Sequence, residues 1–174
     1  MVQRYYIETL GCPKNQVDSD KIAGKLIADG LVATEDAFFS DPVVRMGIPG
    51  VEYFAHPFEM PPRIAKEFLF TGDKMSAERA YQVGMVNRLS TRETLQDDVN
   101  ALAAKIATQP RLGLALTKQV INHVEDLQGK RTGMEAAFAW HHFSHAHNDL
   151  VSGDKLGGFD AKKMAEHNRA GDKS

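Results

Sequence analysis

Hydrophobic positions in the first forty residues follow the short period of strands and the longer period of a helix in turn. Residues 3–10 are rich in β-forming side chains and predict a short strand. A helix is predicted from Asp18, as its N-cap, to Gly30, because the apolar residues between them share one helix face. The apolar segment 31–33 predicts the beginning of another strand, and the segment 37–39 either continues that strand or starts the next one. This β-loop-α opening is typical of an α/β sheet.

The stretch from Ser40 to Pro62 shows neither the hydrophobic period of a strand nor that of a helix. It holds five prolines and two glycines, and these residues interrupt helices and strands alike. A long irregular segment inside a compact domain is more often a binding or active-site segment than a linker. We therefore expect the functional groups of the chain in this irregular stretch.

From Pro62 onward the pattern predicts successive amphipathic helices. The first helix ends at a turn formed by Thr71, Gly72 and Asp73, and Ser76 caps a short helix that Gly84 closes. Further helices are predicted from the capping box Ser90–Glu93, from Pro110 in a first turn, from the capping box Thr132–Glu135, and from about Gly158 to Arg169.

Composition narrows the class of protein without identifying it. The 174 residues suffice for one domain with a hydrophobic core, and the net charge of −2 does not favour a nucleic acid or a membrane surface as partner. No apolar run is long enough for a membrane helix, and we expect no signal peptide, since the first residues lack the apolar segment of one. The single cysteine, Cys12, excludes an internal disulfide, so we expect a cytoplasmic protein.

The segment 68–89, FLFTGDKMSAERAYQVGMVNRL, carries the most specific motif of the chain. Together with LVATEDAFFSDPVVRMGIPG before it and ALAAKIATQPRLGLALTKQVIN after it, this segment resembles the crotonase (enoyl-CoA hydratase/isomerase) family. The resemblance implies a truncated crotonase-like α/β fold, with short strands at the N-terminal end and a mostly helical C-terminal region. It also implies an acyl-CoA thioester as substrate and no separate cofactor.

The resemblance further implies which groups perform the chemistry. Crotonases stabilise a thioester enolate with two backbone N–H groups and move a proton with one or two carboxylates. The glycine-rich loop that carries the N–H donors and the first glutamate has no counterpart in this sequence, and Val43 follows Pro42 where the second glutamate is expected. We therefore expect little or no independent catalysis. The remaining catalytic candidates are Asp41, Glu52 and His56, with solvated loop acids as the alternative for the first two.

Binding and assembly also follow from the resemblance. Gly47 and Gly50 match the family's turn beside the acyl pocket, and Lys162 and Lys163 are candidates for contact with the phosphates of coenzyme A. The alternative for the lysines is an ordinary solvated surface. The family's C-terminal helices pack against other subunits, so we expect a homo-oligomer of the trimer type or association with a complete crotonase subunit.

The N-terminal segment resembles a different family. YYIETLGCPKNQVDSDKIAGKLIADG is similar to the start of the radical-SAM methylthiotransferases, which modify a tRNA base or a ribosomal protein. We therefore divide the chain into a methylthiotransferase-like β-loop-α segment, 1–36, and a crotonase-like part, 37–174. By that resemblance Cys12 would be an iron–sulfur ligand. A cluster needs about three or four thiolates and this chain has one, so we predict a lone thiol and no metal site.

Four histidines lie close together, at positions 141, 142, 145 and 147. His141 and His145 share a helix face at the i, i+4 spacing, which suits a metal. The alternative is a helix surface or an oligomer contact, since no obvious third ligand accompanies them.

Three functions remain open from the sequence. The first is a crotonase-type protein that acts on or binds acyl-CoA. The second is an iron–sulfur methylthiotransferase-type protein. The third is a non-catalytic fragment that works by packing against a complete crotonase subunit.

Overall fold

The structure, a computed structural model, describes residues 32–49 and 54–171, and two short strand pairs join the start of this region to residues 75–90. Strand β1 (Ala33–Thr34) pairs in parallel with β4 (Leu89–Ser90). Strand β2 (Phe38–Phe39) pairs antiparallel with β3 (Met75–Ser76). A strand lies at each of the two predicted places: β1 begins at Ala33, the last residue of the predicted segment 31–33, and β2 covers the last two residues of 37–39. The predicted strand 3–10 and the helix from Asp18 lie outside the described residues.

The Pro-rich stretch is more regular than the sequence predicted. Pro42–Met46 forms a 3-10 helix, and His56–Glu59 forms a single α-helical turn, α1. Proline stands in the first turn of both, where its missing N–H leaves no hydrogen bond unmade. The expectation of an irregular loop was therefore wrong for these two segments, because proline begins helices as readily as it interrupts them.

The next elements follow the sequence prediction closely. Helix α2 (Pro62–Thr71) ends at Gly72, whose left-handed backbone (φ 63°) closes it. Helix α3 (Ala77–Gln82) begins at Ser76, whose Oγ accepts a hydrogen bond from the Arg79 N–H at 3.2 Å. These local signals were read correctly because each one satisfies backbone groups within its own turn.

The main core lies between the β2–β3 pair and helices α2 and α3. Its buried side chains are Ala33, Phe39, Met60, Ala65, Phe68, Met75, Ala80 and Val86. A second, smaller cluster joins Val32 to Val99 on helix α4 (Leu95–Ala107). The 3-10 helix and α1 lie beside the main core, so the core holds the stretch in which functional groups were expected.

The start of α4 differs from the prediction. Ser90 is buried in β4, and it is the Thr91 hydroxyl that accepts a hydrogen bond from the Thr94 N–H at 3.2 Å. The prediction that Ser90 caps this helix was therefore wrong, because the parallel pairing with β1 keeps Ser90 extended.

An exposed ion pair ties this turn to the first strand pair. Arg92 donates from Nε to Asp36 Oδ2 at 2.5 Å. The Arg92 hydrogen bond, together with a weaker one from Thr34, holds the pKa of Asp36 below its ordinary value. Both side chains remain about half exposed, so the pair contributes more to position than to stability.

Three helices complete the described region: α5 (Arg111–Leu127), α6 (Lys130–Ser152) and α7 (Ala161–Gly171). Pro110 was predicted in the first turn of α5; it is instead the N-cap, and the helix begins one residue later, at Arg111. Helix α6 begins directly after Gly129 (φ 97°), so Thr132 and Glu135 lie inside the helix and the second capping box was wrong. Helix α7 begins after Asp160, whose Oδ1 accepts a hydrogen bond from the Lys163 N–H at 2.7 Å. In the described part of the chain, no helix combines the length and apolarity needed to cross a membrane.

Candidate functional site

The 3-10 helix is fixed to the end of α2. Arg45 Nη2 donates to the Thr71 carbonyl at 3.1 Å and to Asp73 Oδ1 at 2.9 Å. A Cβ built on Gly72 would lie 3.1 Å from Pro42 Cα, so the two backbones meet closely there. The turn Thr71–Asp73, inside the most specific motif of the sequence, therefore supports the loop that carries the candidate site.

Two of the three catalytic candidates come together beside this loop. His56 Nε2 lies 3.3 Å from Asp41 Oδ2, and the two side chains are 18% and 23% exposed. Phe54 meets the His56 ring edge-on at a centroid distance of 5.4 Å, and Phe68 lies 6.0 Å away on the core side. From the sequence, His56 had no partnering carboxylate in view. The structure supplies Asp41 as that partner.

The other nitrogen of His56 has a different environment. His56 Nδ1 is buried and has no hydrogen-bond partner among the described residues. A carboxylate only accepts hydrogen bonds, so a neutral His56 ring with its hydrogen on Nε2, towards Asp41, presents a lone pair at Nδ1. A buried polar atom left unpaired costs about 1–3 kcal/mol. Such a cost is commonly tolerated where a ligand supplies the missing donor or proton.

The turn at Gly47 is held by the segment that precedes α7. Gly47 has φ 75°, and a Cβ on it would lie 2.8 Å from Gly157 Cα. The Arg45 carbonyl accepts a hydrogen bond from the Phe159 N–H at 2.6 Å, and Asn148 Nδ2 donates to the Gly47 carbonyl at 3.1 Å. Gly50 and Glu52, the remaining candidates of this stretch, lie outside the described residues.

The two candidate lysines stand apart from this arrangement. Lys162 and Lys163 are exposed in the first turn of α7. Among residues 32–49 and 54–171, neither ammonium group makes a hydrogen bond or ion pair. The structure thus brings Asp41 and His56 together, and it leaves both lysines facing solvent.

The histidine group contains one close pair. His141 Nε2 and His145 Nε2 lie 3.0 Å apart, one turn from each other on α6. His142 instead meets the Phe138 ring, and His147 stacks on Phe143. Within the described region, no group of three or more histidine, cysteine, aspartate or glutamate side chains is placed to hold a metal.

Sequence reasoning missed two residues that position the site. Arg45 joins the 3-10 helix to the Thr71–Asp73 turn, and Asn148 holds the Gly47 carbonyl. Asn148 lies on the same helix face as His141 and His145, at the i, i+4, i+7 spacing, and that pattern was a readable signal. Nothing local marked Arg45, since its partners are more than twenty residues away.

Comparison with known proteins identifies the family. The family model described as enoyl-CoA hydratase/isomerase matches residues 23–164. With more than half of its length matched, the chain belongs to the enoyl-CoA hydratase/isomerase family. The match begins within the segment 1–36, so the proposed domain boundary at residue 36 stays a prediction.

Individual relatives agree with this assignment. The chain is 38% identical over 138 residues to EchA13 of Mycobacterium tuberculosis, which bears the name of an enoyl-CoA hydratase; the match covers 77% of this chain and 43% of that one. It is 33% identical over 106 residues to the carnitinyl-CoA dehydratase of Salmonella paratyphi B, covering 59% of this chain and 40% of the relative.

Solved structures confirm the fold. A probable enoyl-CoA hydratase from Mycobacterium smegmatis superposes with a TM-score of 0.68 at 43% identity, covering 72% of this chain and 51% of the other. One from Mycobacterium thermoresistibile gives 0.67 at 45% identity, with the same coverage. The predicted truncated crotonase-like α/β fold is confirmed, and the chain spans about half the length of the relatives it matches.

Proposed function

We propose that this chain binds an acyl-CoA thioester as a member of the enoyl-CoA hydratase/isomerase family, and that it turns over little or no substrate by itself. The observation that carries the proposal is the family match over residues 23–164. Relatives named as enoyl-CoA hydratases or as a carnitinyl-CoA dehydratase support the substrate class, since each name specifies an acyl-CoA.

The low turnover is proposed from the position after Pro42. Val43 lies in the 3-10 helix where the family resemblance calls for a glutamate. An isopropyl side chain transfers no proton, so the usual general acid or base is missing at this point. The glycine-rich loop expected to supply the oxyanion donors also has no counterpart in the sequence.

The Asp41–His56 pair is the proposed substrate contact. Asp41 fixes the imidazole from its Nε2 side, and the unpaired Nδ1 accepts a hydrogen bond from a donor that the bound ligand or a water supplies. Gly47 and Gly50 are proposed to shape the acyl pocket beside it, and Lys162 and Lys163 to meet the coenzyme A phosphates.

The proposal is tested by measuring binding and turnover separately. Calorimetric titration with crotonyl-CoA is expected to show binding, while the ultraviolet absorbance of the conjugated double bond stays unchanged. His56→Gln is expected to weaken binding about tenfold, the value of one lost hydrogen bond of about 1–1.5 kcal/mol. His123→Gln, an exposed histidine of α5, is the matched control and should leave the affinity unchanged.

Each measurement can contradict its own part of the proposal. Absence of binding in the millimolar range would overturn the assigned substrate class. Clear hydration by the purified chain would overturn the proposed loss of catalysis. Equal affinities for His56→Gln and His123→Gln would remove His56 from the substrate contact.

The N-terminal segment 1–36 is proposed to be a β-loop-α unit of methylthiotransferase type that holds no cluster. Its only thiolate donor is Cys12, and an iron–sulfur cluster needs about three or four. Anaerobic reconstitution with iron and sulfide, followed by a visible absorption spectrum, is expected to show no stable cluster. Stoichiometric cluster absorbance would contradict the argument from thiolate number and would favour the methylthiotransferase alternative.

A further inference from the structure

The His141–His145 pair on α6 is built in a way that the proposed function does not use. Both rings are half-buried, their Nε2 atoms lie 3.0 Å apart, and their planes cross at 87°. The ring centroids are 4.4 Å apart, which is closer than they would be if the two Nε2 atoms pointed straight at each other. The two Nε2 atoms therefore converge towards a common point beside the helix.

The opposite edges of the two rings determine their protonation. His141 Nδ1 lies 3.2 Å from the Pro49 carbonyl, and His145 Nδ1 lies 2.7 Å from the Lys155 carbonyl. A carbonyl oxygen only accepts, so both Nδ1 atoms carry a hydrogen and donate it. With both Nδ1 atoms donating, the two Nε2 lone pairs face each other at 3.0 Å, a repulsive contact unless a cation lies between them: either a proton, which makes the contact a hydrogen bond, or a metal ion.

This arrangement is the usual one for histidines that bind a metal. Such histidines donate the other ring N–H to a backbone carbonyl or carboxylate, which fixes the tautomer and the ring orientation. An ion about 2.0–2.1 Å from each Nε2 would see the two nitrogens at an angle of about 94°. That angle is close to the right angle between neighbouring ligands in tetragonal and octahedral coordination, which Cu²⁺ and Ni²⁺ favour.

We propose that His141 and His145 form a two-histidine site for a divalent late transition metal of the Ni²⁺ or Cu²⁺ type. No third side-chain ligand stands beside them in the described part of the chain, so water fills the remaining positions and the ion exchanges readily. One hydrogen bond, from His141 Nδ1 to the Pro49 carbonyl, connects the metal site to the candidate acyl pocket. Metal on His141 Nε2 makes its Nδ1–H a stronger donor to the Pro49 carbonyl, two residues from Gly47.

The test is a calorimetric titration of the full chain with Ni²⁺ in a non-chelating buffer. Saturable binding of one ion is expected at the pair. His141→Gln and His145→Gln should each weaken it at least about tenfold, while His142→Gln, on the same helix with its ring against Phe138, should leave it unchanged. Absence of saturable binding, or equal affinities in all variants, would overturn the site.

A second measurement on the unaltered chain guards against variants that fail to fold. Paramagnetic Ni²⁺ should broaden the imidazole proton resonances of His141 and His145 before those of His142 and His147. Earlier broadening of His142 or His147 would assign the ion to a different place and overturn the proposal.

Discussion

Replacing Gly47 with alanine is expected to lower the free energy of unfolding by about 2–4 kcal/mol, from backbone strain and overpacking together. Gly47 has φ 75°, a left-handed conformation that disfavours any Cβ. The added methyl group would also lie 2.8 Å from Gly157 Cα, and that neighbour is backbone, which cannot rotate away. Urea unfolding followed by circular dichroism measures the loss.

Two other glycines separate the strain from the clash. Gly153 has φ 72° but no atom within 4 Å of a built Cβ, so Gly153→Ala should cost only the strain, about 1–2 kcal/mol. Gly133 lies inside α6, also with open space, and Gly133→Ala should stabilise the protein by up to about 1 kcal/mol. If Gly47→Ala costs no more than Gly153→Ala, the segment at Gly157 is not packed against the loop as the structure shows.

The same substitution bears on the site. The Gly47 carbonyl is held by Asn148 and the Arg45 carbonyl by Phe159, so this turn connects the candidate acyl pocket to the C-terminal helices. A displaced turn should weaken crotonyl-CoA binding as well as stability. The sequence indicated Gly47 only through a family resemblance, whereas its physical requirement comes from a partner segment more than one hundred residues away.

This difference explains which features could be predicted from sequence. Gly72 and Ser76 act within their own helical turns, so both positions were predicted correctly. The contact between Asp41 and His56 crosses a loop that carries no periodic pattern, so no spacing rule joins the two residues. The pairing became visible only once the 3-10 helix and α1 were placed beside the core.

The misplaced helix starts have the same cause. Thr132 and Glu135 match a capping box by spacing, but the chain turns earlier, at Gly129, where a left-handed residue ends the connection from α5. Ser90 also matches a capping box by spacing, but its pairing in β4 prevents it from acting as a cap. A local motif acts only where the tertiary structure leaves the backbone free to use it.

The apolar stripe of α5 shows what the fold leaves open. Helix α5 has no buried residue in the described structure, and its apolar face stays exposed: Leu112 is 70% exposed, Leu116 51%, Val120 62% and Val124 45%. Fully burying such a side chain contributes about 1.5–3 kcal/mol. A contiguous apolar face of this kind marks an interaction surface. Family members are generally oligomeric, and we propose that this face packs against a second copy of the chain or against a complete crotonase subunit.

Introducing charge on this face is expected to dissociate the assembly. Light scattering of the unaltered chain should give a multiple of 19.2 kDa, and the double variant Leu116→Glu, Val120→Glu should give 19.2 kDa alone, because burying two carboxylates in an apolar contact costs far more than the contact contributes. Asn122→Asp adds a charge to the other side of α5 and should leave the mass unchanged. A monomeric unaltered chain would contradict packing against a second copy, and a mixture with a complete crotonase subunit that shows no mass increase would contradict the interface altogether.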